Sequence, residues 1–345
     1  MTRTRRAFLK AGLAAGAGLS VIAAPAIVRA QTNIKWRAQC FWSSSEVTYK
    51  LFEQLCARIN KLTQGRLTIE PFSGGAVTGV FESLDAVSAG VLQAHSSWPG
   101  YWTGKEPALS ILGDLAFAYT DPMQMATWYY ERDGISLLRE AYAKFNVYPV
   151  GVTWWGAESL VSRKPIKTIE DFKGVKIRSP QGLTADIFTK LGASPVILPG
   201  GEIYSALDKG VVDAADWATV SMNQRMGLFE PAKYSVTIYH SLPVQEFSVN
   251  AAAWKQLPDE LKEIVTAAVH EWGWQQIRKV ASEDARVASE VKAKGVTQIT
   301  WGGAELGKLR ELAYQSWQQF STKSPLAKKA YDAQVSWMKE IGLLS

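Results

Sequence analysis

The sequence predicts an α/β protein built as two similar halves, with a ligand cleft between them and long helices at its C-terminal end. Three observations carry this. Strand and helix patterns alternate from residue 34 to residue 92, and a second alternation starts near residue 150. Long helical periods then fill the chain from residue 259 onward. At 345 residues the chain has room for two domains or one large one.

The elements follow in order. Ile34–Cys40 alternates as a first strand. Ser43 and Glu46 stand at capping-box spacing, and Val47, Leu51, Phe52, Leu55, Ile59 and Leu62 recur behind them at helical spacing. Gly65 stops that helix, 67–72 returns as a strand, and Ser73-Gly74-Gly75 leads to a helix near 79–90. A short apolar run, Val91-Leu92, follows. In the second half, 150–154, 175–178, 195–198 and 211–215 read as strands, and 168–172, 183–191 and 203–209 as helices. This alternation argues for a mostly parallel sheet flanked by helices, with ligand bound between the halves. The terminal helical patterns cover 260–294, 303–320 and 325–341, and no internal repeat or low-complexity segment appears.

Composition excludes several classes. Hydrophobic residues at 47% and charged residues at 20% describe a globular chain. The formal charge of +6 looks like a hint of nucleic acid. However, Arg3, Arg5, Arg6, Lys10 and Arg29 lie in residues 1–30 with no acid, which leaves +1 for residues 31–345. So nearly neutral a body has no electrostatic footprint for DNA or RNA.

Residues 1–30 read as an address. Thr4-Arg5-Arg6-Ala7-Phe8-Leu9-Lys10 matches the twin-arginine export pattern. An Ala- and Gly-rich apolar stretch follows, ending at Val28-Arg29-Ala30, a small-x-small cleavage pattern. The expectation is a cleaved twin-arginine signal over residues 1–30, a mature chain from Gln31, and the periplasm as compartment. A retained membrane anchor is disfavoured, because the apolar stretch is short, weakly hydrophobic and broken by Pro25. For Cys40 and Cys56 two readings stay open, a disulfide that the periplasm permits or two buried free thiols.

Catalytic signatures are missing. There is no G-x-S-x-G elbow, no H-E-x-x-H and no phosphate loop. His95, His240 and His270 have no partner at metal-site spacing. A triad need not be local in sequence, so an enzyme is disfavoured and not excluded.

Three segments in the right order resemble the DctP-type periplasmic substrate-binding subunits of TRAP transporters. The first is PFSGG at 71–75 followed by ESLDAVSAG at 82–90. The second is KPIKTIEDFKGVKIR at 164–178, and the third GEIYSALDKGVVDA at 201–214. His240, Asn250 and Leu257-Pro258 are similar to the family's turn back into the first lobe. The resemblance implies a two-lobed periplasmic-binding-protein fold with a cleft between the lobes and long C-terminal helices crossing both. Lobe I would take 31–155 plus about 246–283, and lobe II 156–245 plus about 284–345. The lobes would close on a solute by hinge motion and deliver it to the membrane permease subunits of the transporter. No enzyme activity is implied.

The resemblance also assigns site residues. Arg178 resembles the family arginine that grips a substrate carboxylate, which a guanidinium matches bidentately. Taken without the family, a surface salt bridge at a strand end is an equal reading. Asp216-Trp217 resembles the branch that binds 2-oxo and 2-hydroxy acids, in which a cation bridges protein and substrate. Asp216, the Trp217 carbonyl and Glu158 are the candidate oxygen ligands for a bridging Na+ or Ca2+, although no cofactor is required. A helix cap by Asp216 with Trp217 in the core is the competing reading. Glu158 and His240 depart from the family, the first as an acid in the pocket, with a solvated loop residue as the competing reading, the second standing where the branch has an acid.

Phe41-Trp42, the run from Trp98 to Trp102, and Trp154-Trp155 fall where the cleft is lined, which makes Trp42, Tyr101 and Trp155 candidate walls. The expected ligand is a small organic monocarboxylate, a 2-oxo or 2-hydroxy acid. The rivals are an exported hydrolase or lyase using carboxylates such as Glu158 and Asp216, or a receptor for an aromatic acid or a polyol. The 2-oxo-acid branch also implies a homodimer through the C-terminal helices.

Overall fold

The computed structural model describes residues 33–344, so the expected export signal lies outside the described residues. The chain opens with β1 (Ile34–Cys40), α1 (Val47–Leu62), β2 (Leu67–Phe72), α2 (Ser83–Ser88) and β3 (Ala94–Ser97). Three short helices, α3 (Ala108–Gly113), α4 (Pro122–Glu131) and α5 (Gly134–Ala143), lead to β4 (Val147–Trp154). The second half runs β5 (Ser159–Ser162), β6 (Lys176–Arg178), α6 (Leu183–Lys190) and β7 (Ser194–Val196). It continues with α7 (Ile203–Asp208), β8 (Ala214–Ala218), α8 (Val220–Arg225) and β9 (Tyr234–Thr237). Then come β10 (Val244–Asn250), α9 (Ala251–Gln256), α10 (Asp259–Ala293), β11 (Thr297–Thr300), α11 (Gly303–Ser321) and α12 (Pro325–Glu340).

These strands form two sheets, ordered β2-β1-β3-β10-β4 and β11-β9-β5-β8-β6-β7. The expected mostly parallel sheet is corrected to two mixed ones. β10 runs antiparallel to β3 and β4, and β5 antiparallel to β8 and β9. The cause is how the chain changes sheets. It crosses from β4 to β5 and returns from β9 to β10, both times without a helix to turn the strand around. The two crossings lie side by side, joined by the Glu158 N–H donating to the Ser241 carbonyl at 3.0 Å.

α10 ties the halves together. Its 35 residues span about 52 Å at 1.5 Å per residue. It packs on α1 and β4 from the first sheet and on α8 from the second, while α11 packs on α6, and α12 on α3 and α5. Gly273 permits the close approach to β4: a Cβ there would lie 3.2 Å from the Val152 carbonyl oxygen. The Thr153 hydroxyl donates to the Gly273 carbonyl at 2.8 Å across the contact. Among the described residues no helix is long and apolar enough to cross a membrane. Cys40 and Cys56 are buried free thiols.

The capping box expected of Ser43 and Glu46 does not form. The Ser43 hydroxyl meets Ser45 instead, at 2.9 Å, and Glu46 takes the N-cap position of α1 without a side-chain cap bond. Its carboxyl turns inward, fully buried, and neither oxygen has a hydrogen-bond partner. Burial pushes it up to about 7, against the opposing pull of Arg225.

A test follows from that value. The folded state holds the Glu46 proton more tightly than the unfolded chain, so this group costs stability as pH rises from about 4.5 to about 7. Melting curves of wild type and Glu46→Gln should coincide in acid and separate over that interval, with the variant the more stable above it. A gap that is the same at every pH contradicts the assignment.

Candidate functional site

The site lies where both crossings meet the ends of the sheets. Trp155 and Glu158 come from the first crossing, and Ser241 and Pro243 from the second. Arg178 ends β6, Asp216 and Trp217 sit within β8, and Asp114 follows α3. With Phe41, Trp98, Tyr101, Pro180 and Thr184 they line a small cavity.

Arg178 is 2% exposed, and it is held by carbonyls. Its Nε donates to the Leu198 carbonyl at 3.0 Å and its Nη1 to the Asp216 carbonyl at 2.6 Å. The guanidinium lies 5.1 Å over the Trp217 ring. Nη2 is buried without an acceptor, and no carboxylate pairs with this cation among the described residues. The charge is held directly by carbonyl dipoles and a ring face, with the Tyr101 phenol and the Asp216 charge acting on it as well, and Nη2 remains open to an anion.

Opposite stand three buried acids in different states. Asp216 Oδ1 accepts from the His240 Nε2–H at 2.9 Å, and its Oδ2 accepts from the Ser179 hydroxyl at 3.3 Å. Burial pushes Asp216 up, but His240, Glu158 and Arg178 together outweigh it and hold the carboxylate below its usual range. Glu158 accepts from the Trp155 indole N–H at 2.9 Å, and its other oxygen lies 3.9 Å from the His240 Nε2. Burial, the neighbouring Asp216 charge and a hydrogen bond to Asp216 push Glu158 well above the ordinary value, so the proton it keeps is directed at Asp216. Asp114 accepts from the Leu242 N–H at 3.3 Å, and burial raises it to about 7.

The walls are aromatic. Gly200 is required here, because any Cβ at that position would collide with the Trp217 ring. Tyr101 stands edge-on to Phe41 at 5.9 Å and to Trp98 at 5.3 Å. Burial lifts its phenol to about 12, with Arg178 opposing, so it remains a neutral hydrogen-bonding group.

Of the sequence-predicted residues, Arg178, Glu158, Asp216, Trp217, Tyr101 and Trp155 face the cavity. Trp42 lies behind the wall, with ring centroids 5.1 Å from Trp155 and 5.5 Å from Trp217, and its indole donates to Gln245. His240 sits beneath Asp216 and does not line the cavity. Sequence reasoning missed Asp114, Pro180, Thr184, Ser241 and Pro243. For Asp114 a signal existed: it is the one acid in the apolar run 108–118. Glu158, Asp216 and His240 offer ligand atoms within 4.8 Å of one another.

Comparison with known proteins gives this geometry its context. Residues 39–323 match the DctP family, described as bacterial extracellular solute-binding protein, family 7. A monocarboxylate 2-oxoacid-binding periplasmic protein of Nostoc sp. is 30% identical over 314 residues, 90% of this chain and 85% of that one. A TRAP transporter solute-binding protein of Bordetella bronchiseptica is 26% identical with a TM-score of 0.85, covering 90% of this chain and 93% of that one. It was solved as a mixed-occupancy dimer, with calcium and picolinate in its active site. A TRAP periplasmic solute-binding protein of Pseudoalteromonas atlantica, 26% identical with a TM-score of 0.82, covers 90% of this chain and 95% of that one, and holds sodium and pyruvate. The two sheets and long α10 are the two-lobed architecture of these receptors. The chain belongs to the DctP family of periplasmic solute receptors of TRAP transporters, a family of binding proteins and not of enzymes.

Proposed function

We propose that this receptor binds a small organic monocarboxylate with a lone-pair atom on the carbon next to the carboxylate, a 2-oxo or 2-hydroxy acid. The observation that carries this is the buried Arg178 guanidinium with its unpartnered Nη2 at the cavity. A ligand carboxylate accepting from Nη2 would supply the missing counter-charge. The neighbouring oxygen would turn toward the Glu158 carboxyl, with Asp216 fixed beside it. Phe41, Tyr101, Trp155 and Trp217 would exclude water from a compact apolar tail.

The relatives support the reading. The Nostoc protein is named for 2-oxoacids, and the Pseudoalteromonas structure holds pyruvate. Picolinate in the Bordetella structure favours a second reading, an aromatic acid, since it too carries a lone pair next to its carboxylate and the walls here are aromatic. The lobe division expected from sequence, 31–155 with about 246–283 and 156–245 with about 284–345, belongs to the same proposal. So do twin-arginine export by residues 1–30, delivery to the membrane permease subunits, and a homodimer through the C-terminal helices.

The sequence expectation of a Na+ or Ca2+ ion held by Asp216, the Trp217 carbonyl and Glu158 meets a different donor set. An imidazole nitrogen already occupies Asp216 Oδ1, at 2.9 Å, and stands 3.9 Å from Glu158. Hard cations take oxygen ligands, so these residues do not fit such an ion.

Two tests follow. In a melting screen against small acids, pyruvate at a hundredfold over its Kd should stabilise the wild type by about 2.7 kcal/mol. Arg178→Ala, judged folded by its own melting curve, should weaken binding by roughly 30-fold or more, as loss of a buried charge partner costs about 2–5 kcal/mol. Sugars or polyols that shift the wild type and the variant alike would sink the carboxylate reading.

Asp114 sets the pH dependence. It ionises near 7, adding a negative charge beside a bound anion, so affinity should hold in mild acid and fall as pH rises through about 7. Asp114→Asn should flatten that fall, and a profile unchanged by the substitution contradicts this role.

A further inference from the structure

The relatives' structures hold calcium with picolinate and sodium with pyruvate, whereas this chain places a histidine between its two cavity acids. The His240 Nε2 lies 2.9 Å from Asp216 Oδ1 and 3.9 Å from Glu158 Oε2. An imidazole lone pair facing carboxylate oxygen would be repelled, so Nε2 carries the proton. The remaining oxygens are engaged as well, Glu158 Oε1 by the Trp155 indole and Asp216 Oδ2 by the Ser179 hydroxyl.

His240 is also fixed in place. It is wholly buried, with its ring centroid 6.3 Å from Phe117 and 6.1 Å from Phe188. Its carbonyl accepts from the Phe117 N–H at 3.0 Å. The preceding Tyr239 has φ of 51°, a left-handed conformation that a tyrosine adopts only where its surroundings impose it. Swinging the imidazole aside to admit an ion would open this packing. The other charged or titratable groups around it are Asp114 and Arg178, from α3 and β6.

We propose that this receptor binds its solute without a metal ion, the His240 Nε2–H on Asp216 taking the place that a cation would need beside the two carboxyls. The inference rests on the monocarboxylate reading above for its ligand, but not for its ion chemistry. A proton donor on a fixed ring balances Asp216 as a cation would. The receptor would then load at any calcium or sodium concentration in its compartment.

The test is calorimetric titration of the protein with pyruvate in a sodium-free buffer containing EDTA, repeated with calcium, sodium or zinc added. The wild-type Kd should agree within about twofold across all conditions. His240→Asp makes the cluster all-oxygen, and its affinity in EDTA should fall roughly tenfold or more and recover with calcium. His240→Gln, which keeps an N–H donor, should bind pyruvate without any ion and serves if the aspartate variant does not fold. Wild-type binding that vanishes in EDTA and returns with any one ion overturns the proposal. If no 2-oxo acid binds in any buffer, the monocarboxylate reading fails, and calcium alone decides this one. Calcium uptake by wild type that Asp216→Asn abolishes overturns it, whereas uptake seen only in His240→Asp upholds it.

Discussion

A buried guanidinium without a carboxylate partner is the constraint on which the rest of this structure turns. Removing Arg178 from water costs several kcal/mol, which a full ion pair would offset and two carbonyls offset only in part. The strand end that presents it, the β8 carbonyl that accepts from it, and the Trp217 face beneath it are therefore arranged around one charge. Gly200 belongs to the same arrangement, since it makes room for the Trp217 ring.

The three acids nearby are not redundant. Their states are spread by environment: Asp216 ionised against His240, Glu158 neutral under burial and the Asp216 charge, Asp114 poised near 7. That spread leaves one ionised carboxylate, Asp216, held by the His240 N–H and the Ser179 hydroxyl. Glu158 and His240 come from the two crossings between the sheets, Asp216 from β8 and Asp114 from the residue after α3.

Much of this was legible in the sequence where the signal is local. β1, α1 and β2 carry clear periods and appear where their residues place them, as do α6, α7 and the long α10. β10 left no period to read, because all seven of its residues are buried on both faces and include Gln245, Glu246 and Ser248. β8 begins at Ala214, later than the apolar run suggests, since Val211 is exposed at 49% in the preceding turn. In the site, Arg178, Glu158, Asp216 and the aromatic walls were marked by motif resemblance and composition. Asp114 and the pairing of His240 with Asp216 were not, because they arise from contacts more than 20 residues apart that only the crossings create.

The most direct measurement of the central claim is a crystal structure of the protein with pyruvate. The account requires the ligand carboxylate against Arg178 Nη2, with the 2-oxo oxygen turned toward Glu158. A carboxylate seated elsewhere in the cleft, with Nη2 still lacking an acceptor, would contradict it.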